Sequence, residues 1–396
     1  MRRKKQIKGK RLLVFLLVVV IPFVGWYYHR LQSPEQKELA SYYTLMEKTL
    51  HTSTDSTESR LLHPKTDFLQ PWMLHDWKYE DYKLYLEKIK ELGMEYVVLQ
   101  YVAGAKIVDG KAVLTENYFH MNDNDANPYL SLVYSKCTNK KNMIVSQFDV
   151  VDNLLSAAKE AGIKVYLGTI LNEQWWDNHF LDDRWHAEML ALEKLLLSYF
   201  IAKYENTSYM SDTFYGIYYT PEMFGNTNGY EIPWREALEN IREFVYSQDP
   251  SLKFIVSLYC SEYYLFDDSD EQAAEEKMHE FVFDLLVNNG KPVLKNGDIV
   301  SVQDKLSTNP KTSVEYNTKF LYAVRDVLEI LKYDYNTSLH YSIIVENFKS
   351  ESDLNLASIE RYNLQRLICS QLADDLMVFS YALYQMPKDG RNKPIK

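Results

Sequence analysis

Two glutamates stand where a pair of acids could work on one bond. Glu222 follows the apolar run Ile217-Tyr218-Tyr219, and Glu346 follows Ile343-Ile344-Val345 directly. Two carboxyl groups that flank a glycosidic bond can cleave it through an oxocarbenium-like transition state. One must stay protonated as general acid, which burial near Trp and Tyr favours; the other must ionise and attack. A separation of about 5–5.5 Å supports double displacement with retention, and roughly 6.5–9.5 Å leaves room for an inverting water.

The residues expected around this pair are uniform in chemistry. They are Gln70 and Trp72, Gln100, Asn172 and Glu173 with Trp175 and Trp176, Tyr219, Tyr259, Gln303 and Asp304, Asn347, and Tyr381. Amides and carboxylates hydrogen-bond sugar hydroxyls, and flat rings stack on the apolar faces of pyranoses. A glycan cleft needs that mixture. Glu173, beside two tryptophans, is the rival for an essential acid.

Other chemistries lack their residues. His75, His120, His179 and His186 show no H-E-x-x-H spacing, and Asp267 to Glu271 lacks the spacing of an EF-hand loop. Neither Ser257 nor Ser380 sits in a G-x-S-x-G elbow. No G-x-G-x-x-G or Walker A sequence follows an apolar run. Cys137, Cys260 and Cys369 are too far apart for a C-x-x-C zinc site. The reading therefore calls for no metal and no cofactor.

The elements that must carry these residues are short apolar runs alternating with amphipathic stretches. The runs begin near Phe68, Tyr96, Lys164, Phe214, Lys253, Asp298, His340 and Asp375. Helices are predicted over Tyr79 to Leu92, stopping at Gly93, and Val150 to Ala161, stopping at Gly162. Others are predicted from Asp183 to Tyr204, near Pro233, and over Glu271 to Asn288, Ser313 to Leu331 and Ala357 to Leu372. Within the one long interruption, residues 104–147, Lys106 to Leu114 reads as a hairpin turning at Asp109-Gly110. The rest of that insertion is expected to be a loop over the barrel mouth. Eight β/α units predict an α/β fold, a TIM (β/α)8 barrel spanning residues 67–390, whose chemistry gathers at the C-terminal ends of the strands. Strands 4 and 7 are expected on opposite sides of it.

Ahead of the barrel lies a different kind of sequence. Arg2, Arg3, Lys4, Lys5, Lys8, Lys10 and Arg11 make residues 1–11 a basic, cytoplasmic segment. Leu12 to Tyr28 is an apolar run that predicts a transmembrane anchor, with Trp26, Tyr27 and Tyr28 at the outer interface. Residues 29–66 read as a stalk. The whole chain carries net charge −11, so the part beyond the basic cluster is more acidic still and repels nucleic acid.

Five motifs also resemble, in order, a family of bacterial domains of unknown function that are TIM barrels similar to glycoside hydrolases. They are Phe68-Leu-Gln-Pro-Trp72, Val97-Val-Leu-Gln100, Leu167-Gly-Thr-Ile-Leu-Asn-Glu173 with Trp175-Trp176, Phe214-Tyr-Gly-Ile-Tyr-Tyr-Thr-Pro-Glu222, and Val345-Glu-Asn347. The resemblance runs from about residue 66 to 386. The layout is also similar to the large retaining glycosidase clan that includes cellulases and β-galactosidases. That resemblance implies Glu222 as acid/base and Glu346 as nucleophile. The clan places Asn before its strand-4 glutamate, where Pro221 stands here, so either Asn172 or Asn347 takes over that sugar contact or the roles differ. Chitinase-like barrels carry D-G-x-D-x-D-x-E on strand 4. Gly216 and Glu222 match that pattern, but Tyr215, Tyr218 and Thr220 replace its aspartates.

The expectation is a single-pass, membrane-anchored extracellular glycoside hydrolase acting on a cell-surface or exopolysaccharide. The alternative is a non-catalytic glycan-binding or polysaccharide-assembly protein on the same barrel.

Overall fold

The computed structural model describes residues 61–395 apart from 122–125, 138–143, 176–182, 206, 225–230, 261–270, 307–313, 351–352 and 389–392. The basic segment 1–11, the apolar run 12–28, most of the stalk 29–66 and Trp176 lie outside the described residues. Among the described residues no helix is long and apolar enough to cross a membrane.

Seven of the eight predicted runs hold one barrel strand each; the first strand starts earlier than expected, at Pro64 within the predicted stalk, and takes only Phe68 and Leu69 from its run. The strands are β1 (Pro64–Leu69), β2 (Tyr96–Leu99), β3 (Lys164–Gly168), β4 (Phe214–Phe224), β5 (Lys253–Tyr259), β6 (Ile299–Gln303), β7 (His340–Glu346) and β8 (Asp375–Phe379). All pair in parallel with their neighbours in this order, and β8 closes onto β1. Between them run α1 (Tyr79–Glu91), α2 (Val150–Ala161), α3 (Asp183–Tyr204), α4 (Glu231–Gln248), α5 (Glu271–Leu286), α6 (Val314–Asp334) and α7 (Ile359–Ser370). The ends of α1 and α2 fall where expected, with Gly93 at φ +82° and Gly162 at φ +69°, a left-handed backbone that other residues enter at a cost.

Every barrel strand sends one side chain to a shared interior cluster: Phe68, Val98, Tyr166, Tyr218, Ile255, Ile299, Ile344 and Met377. Side chains alternate faces along a strand. Residues two or four positions further on therefore point inward at the C-terminal mouth. On β5, β6, β7 and β8 these are Tyr259, Gln303, Glu346 and Phe379.

On β4 the residue four positions beyond Tyr218 is Glu222, but the strand's register slips before it is reached. Its pairing with β5 jumps from Tyr219 opposite Val256 to Glu222 opposite Ser257, leaving Thr220 and Pro221 as extra residues in a bulge. A bulge re-aims the side chains beyond it, and a proline there removes no ladder hydrogen bond. The bulge is pinned from one side, by the residues that follow β3 and β2. Thr220 N donates to Thr169 Oγ1 at 3.2 Å, and Thr220 Oγ1 donates to the Gln100 carbonyl at 2.9 Å.

The insertion after β2 differs from expectation. Its hairpin is present, Ala103–Val108 against Lys111–Asn117, with Asp109 and Gly110 both at positive φ as a tight primed turn requires. Of the rest, among the described residues, Leu130–Ser135 is a short helix and the hairpin grows into a side sheet. Ile144–Val145 pairs with one edge of the hairpin and Ile170–Asn172 with the other, and the sheet packs on α3. A two-stranded hairpin is marginal alone, and the chain continuing from β3 supplies it with a third strand.

At the opposite, N-terminal end of the barrel, Asp375 accepts from Ser342 Oγ and lies 2.8 Å from His340 Nε2. The hydrogen bond to Asp375 raises the His340 pKa against the opposing effect of burial. The unfolded value is near 6.5. The stabilisation is therefore complete below that pH and is lost as pH rises through the higher folded value. Thermal unfolding of His340→Gln is expected to lack this fall on the neutral-to-alkaline side.

Candidate active site

A cavity of about 370 Å³ opens at the C-terminal mouth, lined by Glu222, Tyr259, Gln303, Lys305, Glu346, Phe348 and Phe379. A larger one of about 690 Å³ lies by the N-terminal ends of β7 and β8, among residues such as Arg325, Lys332, Tyr341 and Asp374. Barrel chemistry belongs to the first end.

Both glutamates reach the mouth cavity. Strands β4 and β7 are not diametrically opposed; β5 and β6 lie between them on one side, and their Tyr259 and Gln303 fill the intervening wall. Gln303 Nε2 donates to Glu222 Oε1 at 2.5 Å, and Glu222 is half-buried. Its charge adds to burial in raising the pKa of Tyr218, which lies deeper in the barrel. Glu346 is only 3% exposed. Lys305 Nζ stands 3.5 Å from its Oε1 and 4.4 Å from the centroid of the Tyr259 ring. Lys305 sits at φ +46°, in the turn just beyond β6. Phe348 and Phe379 meet edge to face, 6.3 Å between centroids, and supply the apolar side of the cavity.

The other predicted residues lie elsewhere. Trp72 is 48% exposed on the turn after β1, an open ring, while Gln70 beside it is buried. Gln100 acts through its backbone, as the acceptor for the β4 bulge. Asn172 is buried in the side sheet, where its Oδ1 accepts from Gln174 N at 3.0 Å. Glu173 is exposed beside it and repels the half-buried Glu116. Trp175 is buried against Trp185, Trp234 and His186. Tyr219, one residue out of phase with inward Tyr218, packs on Phe254. Asn347 is fully buried and donates to the Ser380 carbonyl at 3.2 Å. Tyr381 begins the turn after β8, its N–H held by Asp67. Asp304 is buried behind the wall. The amide that meets a candidate acid is thus Gln303; Asn172 and Asn347 each bond backbone.

Lys305, Phe348 and Phe379 were not picked out from sequence. Phe379 could have been, since it shares parity with Met377 on β8. Lys305 directly follows Gln303-Asp304, and a cation at a strand end already expected at the mouth is a signal of its own. Among the described residues, no group of three or more His, Cys, Asp or Glu side chains could hold a metal ion.

The bulge that aims Glu222 has a weak point. A Cβ on Gly168 would lie 2.0 Å from the Gln100 carbonyl oxygen, the same atom that accepts from Thr220. Backbone cannot yield as a flexible side chain does. Gly168→Ala is expected to destabilise the barrel by about 3 kcal/mol and to disturb the bulge. Denaturant unfolding reads the first effect. Thr169 also hydrogen-bonds Glu193 of α3, a carboxyl pushed up to about 8 by burial, so the support of the bulge is neutral at pH 7.

No curated protein matches the sequence. Among solved structures, a "putative alpha-L-fucosidase" from Bacteroides thetaiotaomicron is similar with a TM-score of 0.58 at 14% identity, over 86% of this chain and 94% of that one. An endo-1,4-β-D-mannanase from Thermotoga petrophila is similar with a TM-score of 0.52 at 13% identity, over 85% and 93%. At such identities the likeness is one of fold, the closed barrel. Residues 66–390 match the family described as a domain of unknown function, DUF4434, and the chain belongs to that family.

Proposed function

We propose that the protein is a glycoside hydrolase in which Glu222 is the general acid/base and Glu346 the nucleophile. The observation that carries this reading is that both carboxyl groups line one cavity at the C-terminal mouth. Their surroundings differ in the way the two roles require. Glu346 has an ammonium group beside it, a counter-charge for a carboxylate that attacks. Glu222 has a neutral amide and aromatic neighbours, which suit a carboxyl that exchanges a proton. Tyr259, Phe348, Phe379 and the open ring of Trp72 offer flat surfaces for sugar rings. The substrate we propose is a cell-surface or exopolysaccharide, met by a barrel tethered outside the cell through residues 12–28. The fold alone does not make an enzyme. Incubation of the full chain with a panel of polysaccharides is expected to release new reducing ends. Binding without release would instead favour a glycan-binding or assembly role.

A further inference from the structure

The turn after β8, Tyr381–Gln385, is fastened to a buried carboxyl that no step of the proposed reaction uses. Asp67 of β1 is 0% exposed. Its Oδ1 accepts from Tyr381 N at 2.7 Å, and its Oδ2 from Ala382 N at 3.1 Å and from the Tyr85 hydroxyl of α1 at 2.8 Å. Ser380 Oγ accepts from the next amide, Leu383 N, at 3.1 Å. The first N–H groups of a helical turn have no partner within it; here two of them are satisfied by one side chain from another strand. Tyr384, in the same turn, lays its ring on Phe348, 5.6 Å between centroids, and Phe348 lines the mouth cavity. The antiparallel pair after β7, Phe348–Ser350 with Asp353–Leu356, touches the turn through its second strand. Arg361 of α7 donates to the Phe348 carbonyl, so this residue is held by its backbone from α7 and by its ring from the turn.

We propose that Asp67 is a positioning residue whose carboxyl latches the turn after β8, and that the latched turn sets the aromatic wall of the cavity through Tyr384 and Phe348. The wall has this support whatever roles Glu222 and Glu346 play. The latch also titrates. Burial, against the pull of its hydrogen-bond donors, pushes Asp67 up to about 7. The titratable groups that face it are the phenols of Tyr85 from α1, Tyr381 from the turn and Tyr362 from α7; burial raises each of them, so they stay neutral. At the far end of the turn Lys388 donates to the Leu383 carbonyl; burial lowers its own pKa, and an Asp67 variant leaves it in place. Lifting the turn would hydrate Asp67 and return it toward the ordinary 3.8. The closed turn thus holds a proton that the open one gives up. Opening therefore becomes easier as pH rises from about 4 to about 7 and levels off above that.

Amide hydrogen exchange of the full chain between pH 5 and pH 8, corrected for the pH dependence of an unprotected amide, tests this without substrate. In the wild type, opening of residues 380–386 is expected to rise about 10-fold per pH unit up to about pH 7 and to level off beyond it. Residues 348–350 and 353–356 should follow the same curve. Asp67→Asn keeps an acceptor for Tyr381 N and cannot ionise, so the rise should vanish. Tyr85→Phe takes one donor from the carboxylate and should move the plateau to higher pH; it decides the matter if Asp67→Asn does not fold. Tyr384→Ala should leave the rise at residues 380–386 and abolish it at 348–356. A flat wild-type profile, or a rise that survives Asp67→Asn, overturns the latch. A rise confined to residues 380–386 in the wild type overturns the link to the wall. Survival of activity in Glu222→Gln and Glu346→Gln would instead remove the catalytic reading and leave the latch untouched.

Discussion

Glycan turnover is expected to fall by about 10⁴-fold or more when Glu346 becomes glutamine. The amide keeps the shape of the side chain but cannot act as the nucleophile at the anomeric carbon. Glu222→Gln is expected to behave differently, and the difference identifies the roles. General acid catalysis contributes about 10²–10⁴-fold, but only where the departing oxygen needs a proton. An aryl glycoside with an acidic phenol leaves without help, so Glu222→Gln should retain most of its bond-breaking rate on that substrate and lose it on a natural linkage. Glu346→Gln should lose both. Circular dichroism at the assay temperature separates these effects from unfolding, which matters because Lys305 is buried beside Glu346. Wild-type rates in both variants would remove the two-glutamate mechanism.

Much of this was legible because a closed parallel barrel writes itself into the chain as a repeated alternation. Seven apolar runs became strands, and Gly162 and Asp109-Gly110 marked their turns through backbone conformations that few residues adopt. The two glutamates were legible for the same reason, since each follows an apolar run and barrel sites gather at such ends. What the alternation could not convey was phase beyond the last paired residue. Tyr219 and Asn347 were credited to the site from their place in the sequence, yet each lies one step out of phase with an inward neighbour, Tyr218 and Glu346. The bulge in β4 was not legible either, because only the pairing with β5 reveals its two extra residues. Trp175 looked like a sugar platform and is packed among Trp185 and Trp234. A ring that stacks on sugar and a ring that stacks on another helix have the same local sequence. The side sheet depended on a partner more than fifty residues away, Ile170–Asn172 against Ala103–Ala105, which no local pattern records.

The largest stability effect is expected at the other end of β6. Arg242 of α4 is 2% exposed and Asp298 is not exposed at all; Nε and Oδ2 are 2.6 Å apart. The same Oδ2 accepts from Lys295 N, the Asp298 carbonyl accepts from His340 N, and the guanidinium lies 5.4 Å and 5.8 Å from the Tyr246 and Phe254 ring centroids. One residue thus ties α4 to the start of β6 through its carboxylate and to the first residue of β7 through its backbone carbonyl. Arg242→Met leaves that carboxylate buried with its counter-charge gone, and breaking a buried pair from one side costs about 3–5 kcal/mol. Asp298→Asn should cost less, since an amide oxygen still accepts from the guanidinium and from Lys295. Combining the two should cost well under the sum, because the second change removes the charge that the first one stranded. Urea unfolding of the full chain measures all three. A loss below about 1 kcal/mol for Arg242→Met would mean that the pair is as well solvated as a surface one, and the anchoring of β6 would then have to come from its apolar contacts. The distinction bears on the site, because the same strand carries Gln303 at its far end, with Asp304 and Lys305 in the turn beyond. Turnover measured well below the unfolding midpoint should be nearly unchanged in Arg242→Met, as four residues of paired strand separate Asp298 from Gln303.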